Sequence, residues 1–170
     1  GRYILSNGLL TAVSTVYVGG ATTNALDRYL ANYPADRHDA QGLLQVAGGS
    51  FSTTKDLIVG ADGDGVLEFG PTGTVTAANV VLSNATSSVV RFVFDEKGTG
   101  LLMATGALKI AEGAKIEIDA RAYKGQNPLV PLVSCASREG SFDAANVTLL
   151  GSATLKQEAS GVSLHFNHGT

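Results

Sequence analysis

The fold of this chain is decided by one stretch, GLLQVAGGSFSTTKDLIVG at Gly42–Gly60, because a pattern of the same length occurs twice more. The other copies are GRYILSNGLLTAVSTVYVG at Gly1–Gly19 and GVLEFGPTGTVTAANVVLS at Gly65–Ser83. A short repeat with strand-like alternation predicts a stacked architecture, in which no unit can bury its apolar face alone. The matched apolar sets, shifted by at most one residue, are Tyr3, Leu44 and Leu67; Leu5, Val46 and Phe69; Leu10, Phe51 and Val75; Val16, Leu57 and Val80; and Val18, Val59 and Leu82.

The spacing of the copies predicts where further copies fall. The second begins at Gly42 and the third at Gly65, so an equal step predicts a fourth from Ser88 and a weaker fifth within AKIEIDA. The step from Gly1 to Gly42 is longer, and the excess corresponds to Ala21–His38, the main part of an insertion, Ala21–Asp39, of different character. The repeated places are then filled by Val90, Phe92, Leu101, Leu108 and Ile110 in the fourth copy, and by Ile116 and Ile118 in the fifth.

Each copy holds two or three strand-like pieces broken by Gly, Asn, Thr or Asp. The pattern predicts an all-β chain folded as a parallel β-helix, a solenoid of about four to five coils. Successive coils would stack at about 4.8 Å and share one apolar column. The competing architecture is an antiparallel sandwich with two-residue hairpin turns, for which Asn7-Gly8 is a candidate. The equal spacing of the copies favours the solenoid.

Small polar residues recur just before the fourth apolar place of the repeat, as Thr15, Asp56 and Asn79. The later segment DAANVTLL echoes TAANVVLS and predicts that Asn146 lies in register with Asn79. Such residues at one corner of a coil can hydrogen-bond the turn backbone of the next coil. The favoured interpretation is a structural ladder, and the alternative is a catalytic row of carboxylates and amides.

The repeat pattern changes after residue 122, which predicts coils over 1–122 and C-terminal capping strands over 123–170. Leu129, Val130, Leu132 and Val133 indicate a strand that covers the last coil. SATLKQE and VSLHF, joined by a turn at Ala159–Gly161, indicate an antiparallel hairpin. A solenoid needs such a cap, because its final coil otherwise exposes an apolar column and an open edge.

Composition excludes several classes of function. The 170 residues suit one domain with a real core, and a net charge of −3 gives no electrostatic case for nucleic acid binding. No apolar run is long enough to predict membrane insertion. The single cysteine, Cys135, excludes an internal disulfide and a cysteine-based zinc site, and its surroundings favour a buried, inert thiol. Because Gly1 opens inside a strand pattern, the chain is expected to be a fragment of a longer polypeptide.

The coils resemble the passenger repeats of bacterial autotransporter-type surface proteins, in particular the autotransporter-associated β-strand repeat. GLLQVAGGSFSTTKDLIVGADGDG carries the best match, and the order ALKIAEGAKIEIDA, PLVPLVSCAS and GSFDAANVTLL resembles the segment that ends such passengers. The resemblance covers most of the chain outside Ala21–Asp39. It implies the C-terminal part of a right-handed β-helix, secreted or exposed on the bacterial outer membrane. It transfers no catalytic residue, because the family has no shared active site.

The insertion Ala21–Asp39 is the candidate binding site. Four apolar or aromatic residues are spaced for one helical face that ends at Pro34, so a partly helical segment is expected. Insertions in solenoids emerge on one side and often carry binding. The simpler interpretation is a helical flap over a column edge with solvated charges, and a catalytic Asp/His pair is the least favoured. The candidate partner-binding residues are Asp27, Arg28, Tyr29, Tyr33, Asp36, Arg37 and His38.

Other polar groups are interpreted as structural. Asp62 and Asp64 could contribute to a calcium site, but their turn occurs once and a plain polar turn is favoured. Asp95-Glu96-Lys97 is interpreted as a solvated turn rather than a glycosidase pair. Two further features are expected to carry no function: the histidines His38, His165 and His168, interpreted as exposed, and the triplets Asn84-Ala85-Thr86 and Asn146-Val147-Thr148, which match the glycosylation pattern by chance.

The sequence therefore favours a non-catalytic structural or adhesive module, with no cofactor and no metal. Its expected partners are host or matrix glycans or proteins and the rest of its own longer polypeptide. The alternative is a carbohydrate-active or carbohydrate-binding β-helix. An enzyme of that kind needs polar side chains from neighbouring coils in one groove, and a binding module needs exposed aromatic rings such as Tyr3, Tyr17 or Tyr123.

Overall fold

The computed structural model describes residues 2–19, 41–61, 63–83 and 87–167. These residues form a parallel β-solenoid of about four turns, with almost no helix. The elements are β1 (Arg2–Leu5), β2 (Leu9–Ala12), β3 (Val16–Val18), β4 (Gln41–Val46), β5 (Ser50–Thr53), β6 (Asp56–Val59), β7 (Asp64–Phe69), β8 (Thr74–Ala77), β9 (Asn79–Leu82), β10 (Ser88–Val93), β11 (Leu101–Ile110), β12 (Lys115–Asp119), β13 (Leu129–Glu139), a 3-10 helix (Ala144–Asn146), β14 (Val147–Leu150), β15 (Ala153–Glu158) and β16 (Gly161–Phe166).

One face of the solenoid is a six-stranded sheet in the order β1, β4, β7, β10, β12, β14. Every neighbouring pair in this sheet is parallel. The chain makes one circuit between each strand and the next, so four turns separate β1 from β12. Parallel neighbours reached by a full circuit are the defining feature of a stacked solenoid.

The second sheet forms the other sides of the solenoid. It places β2, β5 and β8 side by side and also pairs β3, β6 and β9 in parallel. Both rows end on β11, whose first residues pair with β8 and whose last residues pair with β9. One long strand therefore replaces the two short strands of the earlier turns.

The registers confirm the repeat. Tyr3 pairs with Leu44 and Leu44 with Leu67, and the other four matched sets align in the same residue-by-residue manner. The fourth copy also begins where expected, since Val90 lies beside Leu67. One place differs: Leu102, not Leu101, aligns with Val75 and is fully buried. The turn before β11 is longer than the corresponding turns of the earlier copies, and it shifts the alternation of inward and outward side chains in β11 by one residue.

The core is one continuous column along the stack. Phe69 and Phe92 are fully buried, and their rings stack with centroids 4.8 Å apart and planes 6° apart. Their separation matches the strand spacing, because equivalent residues on parallel neighbours lie one above the other. Each aromatic or aliphatic side chain in the column thus buries its neighbours in the turns above and below.

Glycine is frequent because the corners of successive turns approach closely. A Cβ atom at Gly73 would collide with the carbonyl group of Val46 in the turn below. A Cβ at Gly100 would in turn collide with the carbonyl oxygen of Gly73. These positions carry glycine because the backbones pack directly on each other, which no side chain would permit.

The C-terminal strands continue both sheets. β13 pairs in parallel with β11 and β14 with β12, so parallel stacking extends beyond residue 122. The antiparallel hairpin predicted around Ala159–Gly161 is formed by β15 and β16, and β16 pairs antiparallel with β13. The division of the chain at residue 122, and the action of the later strands as a cap, stay predictions.

The alternative sandwich is wrong. Asn7-Gly8, its candidate hairpin turn, joins β1 to β2, and these strands belong to different sheets. Gly8 has a φ of 88°, so the dipeptide does form a tight turn, but the turn makes a corner of the coil. Turn chemistry alone does not distinguish a hairpin from a solenoid corner.

Candidate functional site

The candidate binding residues of the insertion cannot be placed. Asp27, Arg28, Tyr29, Tyr33, Asp36, Arg37 and His38 lie outside the described residues, as does the whole of 20–40. The binding role of the insertion and its partly helical structure therefore stay predictions. The polar groups that can be located lie at a corner of the solenoid, on its outer face and in its turns.

The corner ladder is confirmed for two of its members. The Asn79 side-chain amide donates to Asp56 Oδ1 in the turn below, at 3.0 Å. Asn79 Oδ1 accepts from the backbone N–H of Ala107 in the turn above, at 2.8 Å. One side chain thus joins three turns and satisfies a partly buried backbone donor, as the structural interpretation requires. The contacts use the polar atoms of Asn79 within the protein and do not direct them into a groove.

The prediction for Asn146 is wrong. Asn146 ends the 3-10 helix that precedes β14, and β14 belongs to the six-stranded sheet. Asn79 instead begins β9 in the other sheet. The segments DAANVTLL and TAANVVLS share a local pattern, which is a polar turn followed by a strand, but they occupy different faces.

Asn79→Ala tests the ladder. The change removes the acceptor of the Ala107 N–H and the donor to Asp56, and we expect it to lower the free energy of unfolding by about 1–3 kcal/mol. Asn146→Ala, the matched control at another corner, is expected to change it by about 0.5 kcal/mol or less. Urea unfolding followed by circular dichroism measures both. Equal losses of unfolding free energy in the two variants would show that the ladder contributes no more stability than an ordinary asparagine side chain.

A row of charges crosses the outer face of the six-stranded sheet. Arg91 on β10 lies between Glu68 on β7 and Glu117 on β12, with nitrogen–oxygen distances of 3.1 and 2.7 Å. The hydrogen bond to Glu117 is the main cause that raises the pKa of Arg91 above its ordinary value, although partial burial opposes it. Arg91 thus pairs with a carboxylate in the turn on either side, and the three side chains link three turns. Sequence reasoning missed this row, although Glu68, Arg91 and Glu117 occupy the same place in consecutive copies.

A second ion pair lies at the end of β12. Arg121 donates to both carboxylate oxygens of Asp119, at 3.0 and 2.9 Å. The side-chain hydrogen bond from Arg121 lowers the pKa of Asp119 below its ordinary value. A carboxyl group whose pKa is lower in the folded than in the unfolded chain stabilises the fold at pH values above its unfolded-state pKa. That contribution is lost as the pH falls through the pKa of the folded state.

Arg121→Gln is expected to raise the pKa of Asp119 toward the ordinary 3.8, because it removes the cation that favours the carboxylate. The carboxyl carbon of Asp119, followed by NMR across an acid titration, measures the shift. Lys156→Gln is a suitable control, since Lys156 lies on β15 in the other sheet. An Asp119 titration that is identical in wild type and Arg121→Gln would contradict the assigned cause.

The turn at Asp95-Glu96-Lys97 is structural in its hydrogen bonding. Asp95 Oδ1 accepts the backbone N–H groups of Lys97 and Gly98, at 2.8 and 3.0 Å, which closes the turn between β10 and β11. Glu96 pairs with Lys124 at the exposed surface. This arrangement agrees with the interpretation of a solvated turn, and it shows no pair of carboxylates across a groove.

The histidines and the cysteine lie partly within and partly outside the described residues. His165 is a half-buried residue of β16, so the expectation that it is exposed is wrong. Cys135 is buried as predicted, and burial raises the pKa of its thiol.

No cluster of three or more His, Cys, Asp or Glu residues that could hold a metal ion occurs within the described residues. Other members of the predicted groups lie outside the described residues: Asp62, His38, His168 and Asn84-Ala85-Thr86.

The three aromatic residues considered for sugar stacking differ in environment. Tyr123 packs against Phe94 and Phe166, with ring centroids 5.5 and 4.6 Å away, so it belongs to an aromatic cluster. Tyr3 and Tyr17 instead line a concavity of about 510 Å³ at the first turn. The concavity is also lined by apolar residues of β2 and of the second turn, including Leu10, Leu44 and Phe51.

The part of the chain that the structure describes contains no helix with the length and apolarity of a membrane span. Comparisons with protein-family models, with curated proteins and with solved structures give no match for this chain.

Proposed function

We propose that this chain is a structural module of a secreted or cell-surface bacterial protein, which holds adjoining parts of its polypeptide in an extended arrangement or contacts surface glycans or proteins. The observation that carries the proposal is the stack itself: strands of successive turns pair residue by residue over a continuous core. A structure in which each turn contacts only its neighbours suits a spacer.

The polar groups of the described surface support a non-catalytic role. Arg91 is engaged by Glu68 and Glu117, and Asn79 is engaged by Asp56 and the Ala107 backbone. A catalytic site instead needs polar groups that converge on a space where a substrate can bind. In the described residues these side chains serve contacts between turns.

The surface assignment rests on the resemblance to autotransporter-type passengers, whose repeats share the glycine and aliphatic spacing of Gly42–Gly60. Labelling of intact cells of the source organism with an antibody raised against the purified chain tests it. Strong labelling of intact cells is expected. Labelling that requires permeabilised cells would contradict the surface location.

A glycan-binding module is the second candidate, because Tyr3 and Tyr17 line the same concavity. Aromatic rings beside polar groups are suited to sugar stacking. A glycan array on the wild-type chain, repeated with Tyr3→Ala and Tyr17→Ala, tests this candidate against the spacer. Binding that both substitutions abolish, while Met103→Ala leaves it intact, would favour the glycan-binding module.

A further inference from the structure

The corner between β1 and β2 holds a side-chain amide beside the peptide nitrogen that follows it in the chain. The N–H of Gly8 donates to Oδ1 of Asn7 at 2.8 Å, at an exposed place. Oδ1 is bonded to the amide carbon Cγ, so the nitrogen of Gly8 lies next to the most electrophilic atom of the Asn7 side chain. A bond between these two atoms would close a five-membered ring.

The surroundings of Gly8 leave this reaction unhindered. A glycine carries no side chain that could shield its own nitrogen, and a Cβ atom built on Gly8 would meet no heavy atom within 4 Å. A hydroxide ion therefore has room to approach and remove the proton of the Gly8 nitrogen. Groups that are already held close together react as one molecule and avoid the entropy cost of an encounter.

Comparable places among the described residues lack this arrangement. The side chain of Asn79 is engaged by the turns below and above it. The N–H that follows Asn146 donates to a backbone oxygen within the 3-10 turn. Asp64 is also followed by a glycine, but the N–H of Gly65 donates to the backbone oxygen of Ser87 at 2.8 Å. In each case the amide or the nitrogen is held away from the reaction by another contact.

We propose that Asn7 is a self-modification site, at which the chain deamidates through a cyclic imide. Hydroxide takes the proton of the Gly8 nitrogen, this nitrogen bonds to Asn7 Cγ, and the side-chain nitrogen takes a proton from water and leaves as ammonia. A water molecule then opens the imide. Opening at Cγ gives aspartate with the original main chain, and opening at the backbone carbonyl carbon gives isoaspartate, whose main chain runs through Cβ and Cγ.

The isoaspartate product does not fit this corner, because its main chain is one atom longer. Residues 6–8 join β1 to β2 directly beside residues 47–49, which join β4 to β5, and the strands on both sides are in register. The two corners touch through their backbones, since a Cβ atom built on Gly49 would lie 2.8 Å from the carbonyl carbon of Asn7. The longer main chain must therefore displace a flanking strand, and the modification weakens the contact between the first and second turns.

Ageing of the purified full chain at mildly alkaline pH, followed by peptide mass spectrometry, tests the reaction. The peptide that contains Asn7 is expected to gain about 1 Da and to separate into aspartate and isoaspartate forms. Conversion is expected to be at least about tenfold faster than at Asn146, and at least as fast as in the urea-unfolded chain, because the folded corner holds the reacting groups together. Asn7→Gln, which could react only through a larger ring, is the unreactive control. Slower conversion of Asn7 in the folded than in the unfolded chain would overturn the proposal, and so would aspartate as the sole product.

The stability of the two products tests the effect on the corner. The isoaspartate form, separated from the aged protein by chromatography, is expected to unfold at a lower urea concentration than the unaged protein. Asn7→Asp is the matched control, since it carries the charge of the product without the additional main-chain atom, and it is expected to keep the wild-type midpoint. Equal midpoints for the isoaspartate form and Asn7→Asp would show that the corner accommodates the longer main chain and would overturn this part of the proposal.

Discussion

Leu57→Asp is expected to yield no folded protein. Leu57 is fully buried and lies between Val16 and Val80 in one column shared by three turns. An aspartate there would place an unpaired charge among aliphatic side chains, and the penalty of several kcal/mol is comparable to the total stability of a small domain, about 5–15 kcal/mol. The far-ultraviolet circular dichroism spectrum of the purified variant, with its solubility, measures the outcome.

Thr54→Asp is the matched control, because Thr54 is exposed at the bend between β5 and β6 of the same turn. It introduces the same charge close by in the sequence and is expected to leave the fold intact, with a change in unfolding free energy of about 0.5 kcal/mol or less. A folded Leu57→Asp with the unfolding midpoint of the control would mean that Leu57 does not belong to the core column.

Phe92→Ala is expected to lower the free energy of unfolding by about 3–5 kcal/mol. Phe92 is fully buried and stacks on Phe69, so truncation removes apolar burial and the ring contact and leaves a cavity between two turns. Urea unfolding at constant pH measures the loss.

Phe92→Leu provides the comparison, since it keeps most of the apolar volume and removes only the ring. Its cost should be well below that of the alanine variant. Phe94 is close to Phe92 in the sequence, but its ring packs in the cluster with Tyr123 and Phe166. A Phe92→Ala variant that loses under about 1 kcal/mol would show that the turns are not tightly packed at this place.

The repeat made the fold predictable because the sequence carries the same information several times. The spacing of Gly42 and Gly65 located Ser88, and the structure pairs all three turns in that register. The alternation failed locally where a longer turn preceded β11 and moved Leu102 into the place expected for Leu101. A turn of variable length can shift the phase of a strand by one residue, and the pattern within the strand does not reveal it.

Local similarity was a poorer guide than spacing. DAANVTLL resembles TAANVVLS, yet β14 and β9 lie in different sheets, because a polar turn followed by an alternating strand occurs on every face of a solenoid.

The candidate site was predictable only in part. The corner contact between Asp56 and Asn79 followed from their equal places in two copies. The charge row through Arg91 could also have been predicted from equal places in successive copies. It was missed because its members are outward-facing charged residues of alternating sign, which form no apolar pattern. The binding role assigned to Asp27, Tyr29 and Arg37 came from the contrast of the insertion with the repeat, and it remains to be tested.

The stacking of turns in register is tested most directly by distances between outward residues of one row. Ile4, Gln45 and Thr148 belong to the row that crosses all six strands of the first sheet. In a Cys135→Ala background, spin labels on Ile4→Cys with Thr148→Cys span five strand spacings, about 24 Å, and labels on Gln45→Cys with Thr148→Cys span four, about 19 Å. Double electron–electron resonance is expected to give two narrow distributions that differ by one spacing, about 5 Å. Broad distributions, or two equal distances, would contradict the stack.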